Sequence, residues 1–414
     1  MNTHTLFLLL CLLGLPALMA QEPSVIPVLT LDAAVERTLA THPEIAIQET
    51  AVDAAEGIRQ RSGAWPNPAL SYYREDLENG DLALAEWTLA AELPLNALWE
   101  RWSRVASADA RVEAERLRVA DARRRLTLAV QQSYIDALSA QRMTDTWATV
   151  TAIFDRAVAA AEARFNDGDI ARYALQRIRM ERLRYRKDAA DADALRIAAL
   201  ERLSLLMNAG GDAVTIDSLA DLPLSIPVPD AAALQASALD NRPDLRAARR
   251  LAESREKALS AQKWGRLPEL RLGYGYKEQS DDFTGTVLQV NAALPLFDRN
   301  QGGVTEAAAQ RRRAELNITL LEAEVRSEVR AAHEQFRLYA GELDGLRHLD
   351  DDALTATLAS ARTAYGEGEM SLVELLDAVQ AYVATRRARA DLLAEFHRRR
   401  FALAAAAATS LTAR

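Results

Sequence analysis

Glu374 and Asp377 stand three residues apart in the stretch Val373-Glu374-Leu375-Leu376-Asp377-Ala378, so a helix there carries both carboxylates on one face. Carboxylates held close together raise each other's pKa and attract cations. That chemistry suits a charged constriction, and it equally describes a solvated acidic face. Just upstream, Tyr365-Gly366-Glu367-Gly368-Glu369-Met370 sets two glycines among acids. Phe165-Asn166-Asp167-Gly168-Asp169-Ile170 does nearly the same 200 residues earlier. Gly168, and Gly366 with Gly368, permit the positive φ that ends a helix and reverses the chain. By themselves such loops are helix caps with solvated charges.

Catalytic and metal chemistry find little support. His42, His333, His348 and His397 are scattered, and no H-x-x-x-H or C-x-x-C spacing occurs. There is no G-x-S-x-G, no phosphate-cradling loop and no zincin motif. No catalytic residue, metal site or cofactor is expected. A net charge of −9 with interspersed signs argues against a nucleic-acid partner.

The first twenty residues read as a secretory signal: Leu6 to Leu18 is apolar apart from Gly14 and Pro16, and Ala20 offers a small residue before Gln21. The lone cysteine, Cys11, lies inside that segment behind Leu10, too bulky a neighbour for a lipid-anchor signal. Export and cleavage then leave a mature chain without disulfides.

What must position the acids and glycines is a duplicated chain. Leu39, Pro43, Glu44, Ile45, Pro68 and Leu70 return as Leu239, Pro243, Asp244, Leu245, Pro268 and Leu270. Residues 21–208 form a first repeat, 209–229 a Gly- and Pro-rich linker, and 230–409 a second repeat. No Gly or Pro interrupts 95–167, so one helix of ~100 Å is predicted there at about 1.5 Å per residue. It opens a helical hairpin over about 99–208. Leu126, Val130, Tyr134 and Leu138 mark a narrow seam on it, as in coiled coils. The second helical hairpin spans about 303–409, with a kink or loosened turn expected at Gly341 and Gly345.

Strand patterns are confined to two places. Ala85, Trp87, Leu89, Ala91 and Leu93 alternate with Glu86, Thr88, Ala90 and Glu92. Leu270, Leu272, Tyr274 and Tyr276 alternate with Arg271, Gly273, Gly275 and Lys277. Each repeat therefore holds one β-hairpin, about 69–93 and 269–294, with Asn79-Gly80-Asp81 and Gln279 to Asp282 at the turns. Strands of this length cross a bilayer when tilted. Four strands cannot close a barrel, and an open edge in hydrocarbon leaves polar groups unpaired at several kcal/mol each. If the strands span a membrane, several subunits must share one barrel. The aromatics Tyr72, Tyr73, Trp87, Tyr274 and Tyr276 are then candidates for its interfacial girdle.

Leu29-Thr30-Leu31-Asp32-Ala33-Ala34 leading to His42-Pro43-Glu44-Ile45, then Ala64-Trp65-Pro66-Asn67-Pro68, then Leu294-Pro295-Leu296-Phe297-Asp298-Arg299-Asn300-Gln301-Gly302 occur in that order. With the 200-residue offset and the leader, residues 28–409 resemble the TolC-like outer membrane efflux proteins. Phe297 to Gly302 leans toward the heavy-metal, CzcC-like branch. The resemblance implies a homotrimer: a twelve-stranded β-barrel in the outer membrane of a Gram-negative bacterium, continued by an α-helical barrel across the periplasm. It also implies a passive exit duct, docked through a periplasmic adaptor (membrane fusion) protein to an inner membrane pump of RND type. In such a duct Asn166, Asp167, Gly168, Asp169 and Ile170, with Gly366, Glu367, Gly368, Glu369 and Met370, are the adaptor-contacting tips. Glu374 and Asp377 form the constriction. Small molecules or metal cations are the expected cargo. Type I protein secretion, drug efflux and a periplasmic coiled-coil scaffold are the alternatives.

Overall fold

The computed structural model describes residues 28–79, 82–210, 214–216, 222–223, 226–346 and 351–411. The expected leader, Cys11, Gly80-Asp81 of the first turn, His348 and parts of the linker lie outside them.

Two short helices, α1 (Leu31–Thr41) and α2 (Pro43–Gly63), precede strands β1 (Ala69–Asn79) and β2 (Leu82–Pro94). Two long helices follow, α3 (Ala97–Asn166) and α4 (Arg172–Leu206). The order then recurs: α5 (Ala231–Asn241), α6 (Pro243–Trp264), β3 (Glu269–Gln279), β4 (Thr284–Ala293), α7 (Gln301–Leu346), α8 (Asp351–Glu367) and α9 (Leu372–Ala406). Proline opens both α2 and α6, where its missing N–H costs nothing and its fixed φ suits the first turn. Thr30 and Asp230 cap α1 and α5 by accepting from Ala33 N and Ala233 N.

The 70 residues of α3 form one unbroken helix, as the absence of Gly and Pro requires. Arg116–Glu113, Arg118–Glu115 and Arg124–Asp121 pair along it at i, i+3, each at 2.7 Å. Such pairs contribute only a few tenths of a kcal/mol each, roughly. Packing carries the rest. Phe154 meets Tyr185 of α4 at 4.5 Å between ring centroids, within an apolar seam that α8 and α9 complete through Leu358, Leu375 and Val379. In the second repeat α7 passes through Gly341 and Gly345 and ends at Leu346. Gly341 and Gly345 are thus accommodated within α7, and residues 347–350, which follow it, lie outside the described residues.

At the joint of α5 and α6, Arg242 is buried, bonded to Asp244 (2.6 Å) and Glu328 of α7 (2.5 Å), and donates to the Ala406 carbonyl of α9 (3.4 Å). Burial alone would lower the Arg242 pKa, but the two carboxylates outweigh it and raise it. Burial likewise works to raise that of Asp244, and its bonds to Arg242 overcome this and lower it. No helix among the described residues is long and apolar enough to cross a membrane.

The four strands form one antiparallel sheet in the order β1-β2-β3-β4, so the two hairpins join through β2 and β3. Directly opposed residues share a face, and away from the hairpin turns the register sorts the side chains, while toward the turns Arg74, Asp76 and Glu278 fall on the apolar face and Leu77 and Leu84 on the polar one. Tyr72 lies opposite Leu89, and Leu89 opposite Tyr276; Ala91 faces Tyr274, and Tyr274 faces Leu288. That face also carries Leu70, Leu93, Leu272 and Val290, all exposed. The other face holds Glu86, Glu92, Lys277, Gln279, Gln289 and Asn291, with Glu86 bonded to Lys277 (2.6 Å) and Gln279 (2.8 Å). Small residues occupy its middle: Ala90, Gly273 and Gly275 are buried. A Cβ on Gly275 would lie 2.5 Å from the Leu89 carbonyl and 2.6 Å from the Ala90 Cβ, so the sheet curls toward this polar side.

Candidate functional site

At the far end of the long helices the two reversal loops adopt the same fold. Gly168 (φ 87°) and Gly368 (φ 82°) each take the left-handed conformation. Asp169 N donates to Arg164 O (2.8 Å) and Gly168 N to Phe165 O (3.1 Å); Glu369 N donates to Ala364 O (2.9 Å) and Gly368 N to Tyr365 O (3.2 Å). Both are Schellman closures, which satisfy the last carbonyls of a helix. Gly366 does not share this role. It sits in the final turn of α8 without a positive φ, so Gly368 alone makes the second turn.

The tips are neighbours. The site of a Cβ on Gly368 lies 3.4 Å from Arg164 Nη2. Ile170 and Met370 pack, partly buried, against one shared core, while Asn166 to Asp169 and Gly366 to Glu369 point outward. The end of the molecule is thus two acidic knuckles on one apolar base. Sequence spacing located the loops but not the Arg164 contact between them, because residues 204 positions apart meet only through the packing of α3 against α8.

Glu374 and Asp377 are both exposed on α9. Glu374 is also part of the helix cap: its Oε2 accepts from Ser371 N (2.8 Å), and Ser371 Oγ accepts from Glu374 N (3.3 Å). Those bonds from Ser371 pull the Glu374 pKa below the ordinary value. Ser371 sets that direction through its side chain first and its backbone N–H second.

Of the five candidate interfacial aromatics, four share the apolar sheet face. Trp87 lies between Tyr72 (ring centroids 6.2 Å apart) and Tyr276 (5.6 Å), and Tyr274 stands one step along β3. Tyr73 is the exception: it faces Thr88 on the polar side. The sequence pair Tyr72-Tyr73 cannot place both rings on one face, because strand neighbours point oppositely. Among the described residues no group of three or more His, Cys, Asp or Glu is arranged to hold a metal ion.

These features define a class. Residues 234–409 match the family model described as outer membrane efflux protein. Over 289 residues the chain is 25 % identical to the cobalt-zinc-cadmium resistance protein CzcC of Cupriavidus metallidurans, covering 69 % of this chain and 68 % of that one. The fold matches that of CusC with a TM-score of 0.71 at 19 % identity, over 92 % of each chain. It also matches the outer membrane protein VceC of Vibrio cholerae with a TM-score of 0.70 at 15 % identity, over 92 % of this chain and 97 % of that one. The second repeat of this chain is therefore similar to outer membrane efflux proteins, and the whole chain shares their fold.

Proposed function

We propose that three copies of this chain assemble into a passive exit duct, each contributing four strands to one twelve-stranded outer membrane barrel and its long helices to a tunnel in the periplasm. The observation that carries this reading is the sheet: one exposed apolar face, one polar face curled inward, and two edges, on β1 and β4, without a partner among the described strands. A lipid-facing wall needs the first, a water-filled lumen the second, and a neighbouring subunit the third. The helices support it. Tyr173, Met180, Leu183, Leu195 and Leu205 are exposed along one side of α4, opposite its buried side of Leu175, Ile178 and Tyr185. A stripe of that kind on a long helix is a packing surface, here for the next subunit.

In this assembly the tip loops at Gly168 and Gly368 meet a periplasmic adaptor, which links the duct to an inner membrane pump. Glu374 and Asp377 gather near the axis as six carboxylates, two per subunit, and favour cations. Metal ions such as those named for the CzcC relative are the cargo class proposed. Passage through a duct requires no resident metal site.

Single-channel recording in planar bilayers tests the constriction. Glu374→Gln retains an acceptor for Ser371 N and so keeps the cap, and Asp377→Asn removes the second charge. Together they are expected to raise conductance and weaken cation selectivity; recordings identical to wild type overturn the assignment. Detergent dependence and subunit mass of the purified protein test the assembly, and a water-soluble single chain ends it.

A further inference from the structure

The connectors between sheet and helices expose large apolar groups that neither the lumen nor the tips use. In the first repeat these are Trp65, Leu98 and Trp102, the last 82 % exposed; in the second they are Trp264, Leu296 and Phe297, the last 94 % exposed. Phe297 is held out by a built connector. Asn300 takes a positive φ, and its Nδ2 donates to the Gln262 carbonyl and to Gln262 Oε1, both at 2.8 Å. Gly303 must lack a side chain, since its Cβ would collide with Asn300 Oδ1. The Leu294 to Gly302 motif thus fixes a rigid turn at the foot of β4 that presents Phe297 and Arg299.

Cations frame the same belt. Arg101 lies over the Trp65 ring, 5.5 Å from its centroid, and donates to Gly63 O (2.7 Å). Arg266 Nε donates to Arg299 O (3.4 Å), which brings two exposed guanidinium-bearing residues together; Lys263 is exposed nearby. Residues 61–69, 94–104, 262–271 and 294–304 hold seven bases against three acids. The opposite end of the sheet is reversed: residues 74–79, 84–86 and 277–283 hold seven acids against two bases. The two rims of the lipid-facing wall therefore carry opposite charge.

We propose that this collar is a binding surface for anionic phospholipid of the periplasmic leaflet, with Trp102, Trp264 and Phe297 seated at the glycerol level and Arg101, Arg266 and Arg299 on headgroup phosphates. The proposal rests on the barrel reading and extends it below the strands. Continuity selects lipid as the occupant. The collar prolongs the apolar sheet face at Leu93 and Leu294, and it adds aromatic rings with basic partners, the combination that suits a membrane–water interface. An acidic protein partner would meet the cations but not the protruding rings.

The chain has six tryptophans, of which Trp65, Trp87, Trp99, Trp102 and Trp264 lie in the sheet or collar and Trp147 lies on α3 far from both. Proteins keeping only Trp87 or only Trp102, the others replaced by Phe, are reconstituted in vesicles of phosphatidylcholine and phosphatidylglycerol. The acyl chains carry bromine either near the glycerol or near the chain end. Trp102 is expected to be quenched by the shallow bromine and Trp87 by the deep one. Quenching of Trp87 without Trp102 means that protein covers the collar, and overturns the proposal while leaving the barrel intact. Quenching of neither overturns both.

A second measurement needs no tryptophan replacement. Native mass spectrometry of the otherwise wild-type assembly counts retained phosphatidylglycerol and phosphatidylcholine. Wild type is expected to retain the anionic lipid preferentially, and Arg266→Gln with Arg299→Gln to weaken its retention by about five-fold for each charge removed, from ~1 kcal/mol per cation near an anionic surface. Equal retention of the two lipids by wild type, or undiminished preference in the double variant, refutes the headgroup assignment.

Discussion

Gly275 offers the sharpest test of the sheet geometry. It sits on the curled polar face of β3, where an added Cβ would stand 2.5 Å from the Leu89 carbonyl and 2.9 Å from the Ala90 Cα. These are backbone atoms of the neighbouring strand, so no side-chain rotation relieves the contact and β2 must move. Overpacking of this kind costs about 1–3 kcal/mol, against which replacing a strand glycine returns roughly 0.5–1 kcal/mol of chain entropy. Gly285 is the matched control: it lies on the same face, in β4, with open space where its Cβ would go. Gly285→Ala should thus be neutral or stabilising, and Gly275→Ala destabilising by about 1–2 kcal/mol per chain. In a trimer that difference enters three times. The assay is thermal dissociation of the detergent-purified assembly, followed by gel mobility and circular dichroism. The expected order of midpoints is Gly285→Ala at or above wild type, and Gly275→Ala below both. Equal midpoints for the two variants would falsify the claim that the sheet curls toward its polar face.

The other predictions concern the helical part. Arg242→Ala leaves Asp244 with only the more distant Arg124 (3.8 Å) and takes the cation from half-exposed Glu328, and should lower stability by roughly 2 kcal/mol, measured by denaturant titration. The Asp244 carboxyl has a folded pKa below its unfolded one, so its contribution is present above the unfolded value and lost as pH falls through the folded value. Wild type should therefore lose stability in that acid window, whereas Arg242→Ala should show a shallower loss there. At the tips, Gly168→Ala meets no atom but must hold a positive φ, at about 1 kcal/mol. Gly368→Ala carries the same strain with its Cβ in ordinary contact with Arg164 (3.4 Å from Nη2), so it should cost about the same ~1 kcal/mol as Gly168→Ala in denaturant titration; a clearly larger loss would contradict that geometry. Ser371→Ala opens the cap of α9 and should raise the Glu374 pKa, readable by NMR titration of a side-chain-labelled sample, and an unchanged value denies the cap its role.

Much of this molecule follows from local sequence alone. The Gly- and Pro-free run before Gly168 allows nothing to stop α3, because backbone hydrogen bonding propagates until a residue forbids it. Alternation in β2 and β3 sorts apolar from polar side chains, since strand periodicity is two. Gly168 and Gly368 mark the reversals, because only glycine enters the left-handed region without penalty. The ordered motifs from Leu29 to Gly302 are legible on the same footing, because each is a short run of neighbouring residues.

What local sequence left open depends on distant partners. The pairing of β2 with β3, which makes one sheet of two hairpins, brings together strands nearly 200 residues apart. The pairing of β1 with β2 sets Tyr72 on the apolar face and Tyr73 on the polar one. Glu374 reads as half of an acidic pair with Asp377, yet it also closes the cap of α9, where the Ser371 side chain and backbone N–H lower its pKa. Arg242 reads as a surface cation until α7 and α9 close over it, and Arg164 reaches Gly368 only because α3 and α8 pack side by side. Sequence determines periodicity, helix length and turn positions, which are local free energies. The faces, pairs and buried charges were decided by tertiary packing, because their energies exist only once remote segments share one low-dielectric interior.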